Sequence, residues 1–162
     1  MYADILNLGI IFGVEGRAEA LVAGYKSKLK NFKANLKTLD EGLRVFVYDS
    51  GEDAPFTAGR YAMPTALIEA AGGQNIMDDF NKSWGSVTWE EVVERDPQVV
   101  VIVNYGDVTA EQKRDYMMSN PAFKNISAIE NDRFVTLEYV EATPGPRNIQ
   151  AIQKLAEAFW TK

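Results

Sequence analysis

Five consecutive apolar residues, Val99-Val-Val-Ile-Val103, lie between Asp96-Pro97-Gln98 and Asn104. Successive side chains of a strand point to opposite faces, so a run that is apolar at every position must be covered on both. Turn formers bound it, and it is too short for a core helix. Strands of this kind belong to parallel sheets with helices packed on each side, so this one segment narrows the chain to α/β.

The flanking sequence repeats the theme. Residues 43–48 (Leu-Arg-Val-Phe-Val-Tyr) and 133–138 (Arg-Phe-Val-Thr-Leu-Glu) read as further strands. Pro64 opens a helix that runs through Ala71 and stops at Gly72-Gly73. Thr88-Trp-Glu-Glu91 and Thr109-Ala-Glu-Gln112 are capping boxes, placing helix starts before Arg95 and before Asn120-Pro121. After Pro144 and Pro146, Ile149, Ile152, Leu155, Ala156 and Phe159 fall on one face of a last helix. The expectation is an open α/β sheet from residue 43 onward, with parallel strands, right-handed crossovers and flanking helices. The strand at Val99–Val103 should run parallel to the one at Val45–Val47.

The first forty residues differ. Val22, Tyr25, Leu29, Phe32, Leu36 and Leu39 alternate in steps of four and three, which predicts a helix over 17–38 about 33 Å long. Five of the ten lysines lie between Lys26 and Lys37, on its other faces. Packing along the edge of its own sheet is the plainer expectation. A coiled-coil dimer is the alternative, disfavoured because Tyr25 and Phe32 suit a seam poorly and the stripe covers only about three heptads. Residues 2–13 before it are apolar, with no obvious partner. Residues 1–40 carry six basic and four acidic side chains, a net +2, and residues 41–162 carry eleven and nineteen, a net −8. The chain reads as two parts, 1–40 and 41–162.

Composition closes off much chemistry. With no Cys and no His there is no disulfide, thiolate or imidazole metal site, Cys nucleophile or Ser-His-Asp triad. A net charge of −6 disfavours nucleic acid as a partner. No apolar run approaches the roughly 18 residues of a membrane span, and no signal-peptide pattern opens the chain.

Open parallel sheets bind ligands at the carboxyl ends of their strands. Those ends are Tyr48-Asp49, Asn104-Tyr105 and Glu138-Tyr139. A tyrosine at each of three strand ends is either half-buried cover or a binding rim, and the long loop over 49–63 favours the rim. Neither a dinucleotide glycine pattern nor a P-loop is present. Asp49, Asp78 and Asp79 are the carboxylates open to an enzymatic alternative, although adjacent side chains such as Asp78 and Asp79 tend to diverge.

Gly72-Gly-Gln-Asn75-Ile, Ser83-Trp-Gly-Ser-Val-Thr-Trp-Glu-Glu-Val-Val, Asp96-Pro-Gln-Val-Val-Val-Ile and Thr143-Pro-Gly-Pro-Arg147 occur in this order. Together they resemble the C-terminal lobe of class III substrate-binding proteins, the receptors of ABC importers for iron–siderophores, haem and cobalamin. The opening Tyr2-Ala-Asp-Ile-Leu-Asn-Leu-Gly with Arg17-Ala-Glu-Ala-Leu resembles the approach to that family's interlobe helix. The resemblance implies a Rossmann-like C-terminal lobe over 41–162. Residues 1–40 would be a remnant of the N-terminal lobe plus the interlobe helix, with the missing lobe and any signal or lipoprotein peptide upstream. An extracytoplasmic receptor follows, periplasmic or lipid-anchored, with no catalytic residue, resident cofactor or metal site of its own.

By the same resemblance, Trp84 stands where cobalamin binders place a Trp against their ligand. Tyr139, Glu141 and Thr143 fall in the segment that lines the cleft. With Tyr48 and Tyr105 they make an aromatic wall. Arg60 and Arg147 are the cations available for an anionic, ring-bearing metal chelate, an iron–siderophore first and a haem, corrinoid or oxyanion otherwise. Glu90, six residues after Trp84, matches the carboxylate that docks on the permease, through which the ATPase is engaged. Glu91 is expected instead to reach back to the Thr88 amide as part of the capping box.

Overall fold

The computed structural model describes residues 2–34 and 42–160. Two helices come first, α1 (Tyr2–Ile11) and α2 (Glu15–Ala34). Gly13, at φ +63°, turns the chain between them. The pair is antiparallel: Tyr2 lies under the Lys26 ammonium, and a β-carbon on Gly9 would stand 2.5 Å from that of Ala18. Residues 2–11 thus form a helix that packs on α2 through Gly9, while Leu8, Ile10, Ile11 and Phe12 stay exposed, so much of the apolar stretch has no partner among the described residues. Ala18 and Val22 are buried, Tyr25 and Leu29 half-buried, and Leu29 packs against the sheet domain's core. The expected stripe holds as far as Leu29; Leu36 and Leu39 lie outside the described residues.

The remainder alternates strand and helix. In order come β1 (Leu43–Tyr48), β2 (Phe56–Ala58), α3 (Met63–Ala70), β3 (Gly73–Asn75), β4 (Trp84–Ser86) and α4 (Trp89–Arg95). Then follow β5 (Val99–Asn104), α5 (Ala110–Ser119), a 3-10 turn at Pro121–Phe123, α6 (Ser127–Glu130), β6 (Phe134–Glu138), α7 (Tyr139–Ala142) and α8 (Asn148–Trp160). The main sheet has order β3-β1-β5-β6, with every pairing parallel, Val45 beside Val99 and Val101 beside Val135. β2 and β4 form a separate antiparallel ribbon.

Helices cover both faces of β5. Val99, Val101 and Val103 join Val45 and Val47 against α3 and α8, while Val100 and Ile102 join Phe46 and Tyr48 against α4, α5 and the 3-10 turn. This is the two-sided burial that the apolar run demands. Gly72 leaves α3 at φ +87°, and Gly73 admits the Phe159 ring, 3.0 Å from where a β-carbon would stand.

At the amino edge of the sheet, Asp96 ends α4 in a left-handed conformation, φ +42°. Its carboxylate accepts from the Ser127 amide at 2.8 Å, the Ser127 hydroxyl at 2.9 Å and Arg44 Nη2 at 2.9 Å. Partial burial alone would raise its pKa, but the Ser127 hydrogen bonds and the Arg44 charge outweigh that and hold the carboxyl below its ordinary value. Depression of the folded-state pKa means the stabilisation is present above the unfolded value near ~4 and lost as pH falls through the folded one. Asp96→Asn keeps the left-handed tolerance and should cost about 1–2 kcal/mol at pH 7, the lower end reflecting partial exposure. Thermal melts from pH 7 to pH 3 check this: the gap to the unmodified chain should narrow below about pH 4.

Candidate functional site

The carboxyl ends of β1, β5 and β6 open onto a cleft of about 310 Å³, lined by Asp49, Phe56, Trp84, Val103, Tyr105, Tyr139, Ala142 and Thr143. Its walls are two stacked aromatic pairs. Asn104 and Glu138 are register partners, and the Asn104 amide donates to both carboxylate oxygens of Glu138, at 3.2 and 3.0 Å. The next residue on each strand is a tyrosine, so Tyr105 and Tyr139 emerge side by side, with ring centroids 4.6 Å apart and planes at 25°. Both are about half exposed, at 54% and 49%.

The ribbon supplies the second pair. Ala58 lies opposite Trp84 and Phe56 opposite Ser86, so Phe56 and Trp84 share one face two residues apart, a diagonal within reach of aromatic rings. They stack at 6.1 Å and 8°. Buried Thr57 anchors the ribbon by donating to the Val47 carbonyl at 2.6 Å, and the Asp49 amide donates to the Phe56 carbonyl.

A polar knot holds the ribbon against α3 and β3. Asn75, fully buried, donates to the Ala58 carbonyl and to Thr65 Oγ1, each at 2.8 Å, and accepts from the Met77 amide at 3.1 Å. Thr65 in turn donates to the Gly59 carbonyl. On the other side Asn148, 3% exposed, donates to the carbonyls of Glu141 and Thr143 and accepts from the Gly145 amide, which holds Thr143 at the cleft.

Of the residues proposed from sequence, Trp84, Tyr105, Tyr139 and Thr143 come together in the cleft. Tyr48 does not, and its expected exposure is corrected: it is 2% exposed and packs edge-on to Trp89 in the core beneath α4. Strand parity decides this, since Tyr48 shares a face with Phe46, and the side chain that reaches the cleft is the next one, Asp49. Burial first, then its neighbours Tyr116, Glu52 and Asp49, push the Tyr48 phenol up to about 12.

The arginines also lie elsewhere. Arg60 donates to Asn81, and Arg147 lines a depression between α2 and the start of α8 with Tyr25 and Lys28. Glu141 accepts from the Glu138 amide and from Lys154, work that belongs to the start of α7 rather than to the cleft. Reasoning from sequence missed Phe56, which sits in a loop-like stretch with no alternation, and Asp49 as the cleft's acid.

Asp49 is 9% exposed; burial raises its carboxyl pKa, with the Ser50 hydrogen bond and the Lys113 charge opposing. Lys113, 2% exposed, lies under the cleft and donates to the carbonyls of Val103 and Tyr105 at 2.8 and 2.9 Å. Burial lowers its pKa, partly offset by Asp49. The other two carboxylates have local partners. Asp79 is held by both Nη atoms of Arg95 at 2.6 and 2.9 Å, which keeps its pKa low, and Asp78 accepts from Gln74. Among the described residues no group of acidic side chains is arranged to hold a metal ion.

At α4, Thr88 Oγ1 accepts from the Glu91 amide as expected, but the Glu91 carboxylate turns to Arg95 Nη2 at 2.6 Å rather than back to Thr88. Arg95, on the next turn, outcompetes a neutral amide because the pair is charge-assisted. Glu90 is exposed in the first turn of α4. A second depression, about 650 Å³, runs between α1 and α2 and is lined by aliphatic side chains, Phe12 and Arg17. It lacks facing aromatic walls.

An open parallel sheet with an aromatic cleft at its carboxyl edge is the form of a ligand-binding lobe. The chain belongs to the periplasmic binding protein family, whose model matches residues 1–140. It is 27% identical over 163 aligned residues to the uncharacterized ABC transporter substrate-binding lipoprotein YvrC of Bacillus subtilis, covering 99% of this chain and 50% of that one. It is 30% identical over 156 residues to the cobalamin-binding protein of Halobacterium salinarum, covering 94% and 42%. A periplasmic binding protein of Veillonella parvula superimposes with a TM-score of 0.89 at 34% identity, over 97% of this chain and 55% of that one. The chain thus spans about half the length of the curated relatives it matches.

Proposed function

We propose that this chain is the C-terminal ligand-binding lobe, with the interlobe helix, of an extracytoplasmic receptor for an ABC importer. Its cargo is a ring-bearing metal chelate: an iron–siderophore, a haem or a corrinoid. The observation that carries the reading is the cleft, where two stacked aromatic pairs stand at the carboxyl edge of a parallel sheet. Paired faces of this kind bury a flat organic ligand while their rims stay wet. Residues 1–40 are then the interlobe helix and a remnant of a preceding lobe, which would cover the exposed Leu8, Ile10, Ile11 and Phe12 of the first helix and its end. The protein is a receptor and not an enzyme, with the chelate as cargo rather than cofactor. Saturable binding of a chelate without turnover supports this; turnover lost in Asp49→Asn would oppose it.

Glu90 serves the permease. Its charge stands in the first turn of α4, where the helix end favours an anion, and it is not used in the hydrogen bonds that engage Glu91 and Thr88. In the full-length receptor, Glu90→Ala should leave chelate affinity unchanged and lower uptake. Glu91→Ala should cost about 0.5–1 kcal/mol of stability through its lost ion pair with Arg95, with less effect on docking. Equal uptake and equal permease affinity for Glu90→Ala and the unmodified receptor at low salt would remove the assignment.

A further inference from the structure

Among the described residues lining the cleft, Asp49 alone carries a formal charge. One of its oxygens, Oδ2, accepts from Ser50 Oγ at 3.0 Å. The other has no protein donor, and no fully buried side-chain oxygen among the described residues lacks a partner, so Oδ1 is open to the cleft. Lys113 offsets this charge only in part. Its ammonium is spent beneath the floor on the Val103 and Tyr105 carbonyls, fixing the end of β5 and the strand exit that carries Tyr105, and it forms no ion pair with Asp49. The tyrosine and tryptophan faces add their own bias, since an aromatic face attracts positive charge and repels negative.

We propose that Asp49 makes this lobe selective for a ring-bearing ligand that turns hydrogen-bond donors, amide N–H or hydroxyl groups, toward it, and selective against one that turns an anionic rim toward it. The inference rests on the cleft being the ligand site and goes beyond it by naming the chemistry of the ligand face. A donor to a carboxylate forms a charge-assisted hydrogen bond. An anion in the same place meets a like charge in a partly dry cleft, where little water screens it. Neither Arg60 nor Arg147 stands at the cleft, and Lys113, the cation coupled to Asp49, is buried beneath the floor and offsets that repulsion only in part.

The test compares cyanocobalamin, whose corrin rim carries neutral amides, with a ferric tris-catecholate, a trianion. Each is titrated into the 162-residue chain and into Asp49→Asn, following the Trp84 indole N–H signal. The unmodified chain should bind cyanocobalamin about tenfold or more tightly than the trianion, and Asp49→Asn should shrink that ratio by about tenfold, weakening the first and strengthening the second. A merely structural role for Asp49 would move both affinities in the same direction. Because Asn can still accept a hydrogen bond, Asp49→Ala is measured alongside, with its thermal midpoint; Asp49 binds no side chain but Ser50, so the fold should persist. Equal or tighter binding of the trianion, or a ratio unchanged by Asp49→Asn, overturns the inference while leaving the cleft as the ligand site. If neither compound perturbs the Trp84 signal, the inference fails, and the chelate reading fails with it if haem leaves that signal unchanged as well.

Discussion

Asn75→Ala should lower the unfolding free energy by about 3 kcal/mol, the largest stability loss expected from a single polar side chain here. Asn75 is fully buried and makes three hydrogen bonds that tie β3 to the ribbon, to α3 and to the turn at Met77. Truncation strands the Ala58 carbonyl and the Met77 amide in an apolar interior, and each unsatisfied group costs about 1–3 kcal/mol. Thr65 keeps its bond to the Gly59 carbonyl, which is why the loss should fall short of the sum. Urea denaturation at pH 7 measures it. A loss below about 1 kcal/mol would mean that water enters and replaces the amide. Because the same knot holds Phe56 and Trp84 in place, chelate affinity should fall with stability in this variant.

Trp84→Ala is the second large effect and should act on binding with little effect on folding. The ring is half-buried, stacks on Phe56 at the margin of the core, and forms no hydrogen bond among the described residues. If it covers one face of the ligand, its removal should weaken chelate binding in the full-length receptor by about 1–3 kcal/mol, roughly 5- to 150-fold. Absorbance titration with cyanocobalamin or a ferric chelate checks this, with a thermal midpoint within a few degrees of the unmodified protein. Unchanged affinity would return Trp84 to the role of a lid on Phe56.

Three of the four strands of the main sheet were legible because their signals are physical necessities, whereas β3, three residues beginning at Gly73, read only as the stop of a helix. Two-sided burial required the unbroken apolar run of β5, and Thr109–Gln112 is a complete capping box in which both reciprocal hydrogen bonds form. The ribbon was not legible. β2 and β4 are three residues each, too short to show alternation, and their pairing depends on Gly59, Gly85 and Asn75, whose roles are spatial. Gly59 makes the point: a β-carbon there would stand 2.5 Å from the Lys82 carbonyl oxygen, a contact invisible from sequence.

The cleft was half legible. The end-of-strand rule located Tyr105 and Tyr139, which leave strands at matched register. The same rule misplaced Tyr48, because β1 ends one residue out of phase with the cleft and Tyr48 stays with Phe46. Long cationic side chains are the least predictable from pattern. Lys113, which no motif singles out, is buried under the site, whereas Arg147 reads as a cleft residue and faces α2. Glu91 shows how a local motif yields to a stronger partner one turn away.

In the proposed receptor, the cleft at the carboxyl edge of the sheet captures a ring-bearing chelate. The chain has three tryptophans, which makes one measurement decisive. Trp89 donates its indole N–H to the Glu52 carbonyl and Trp160 to the Ala71 carbonyl, both away from the cleft, while Trp84 lines it. In nitrogen-15-labelled protein titrated with cyanocobalamin, haem and a ferric siderophore, at least one ligand should shift or broaden the Trp84 indole signal and the amides of Tyr105, Tyr139 and Thr143. The Trp89 and Trp160 indoles should stay in place. Perturbation centred on the α1–α2 groove, or none with any of the three ligands, would contradict the account.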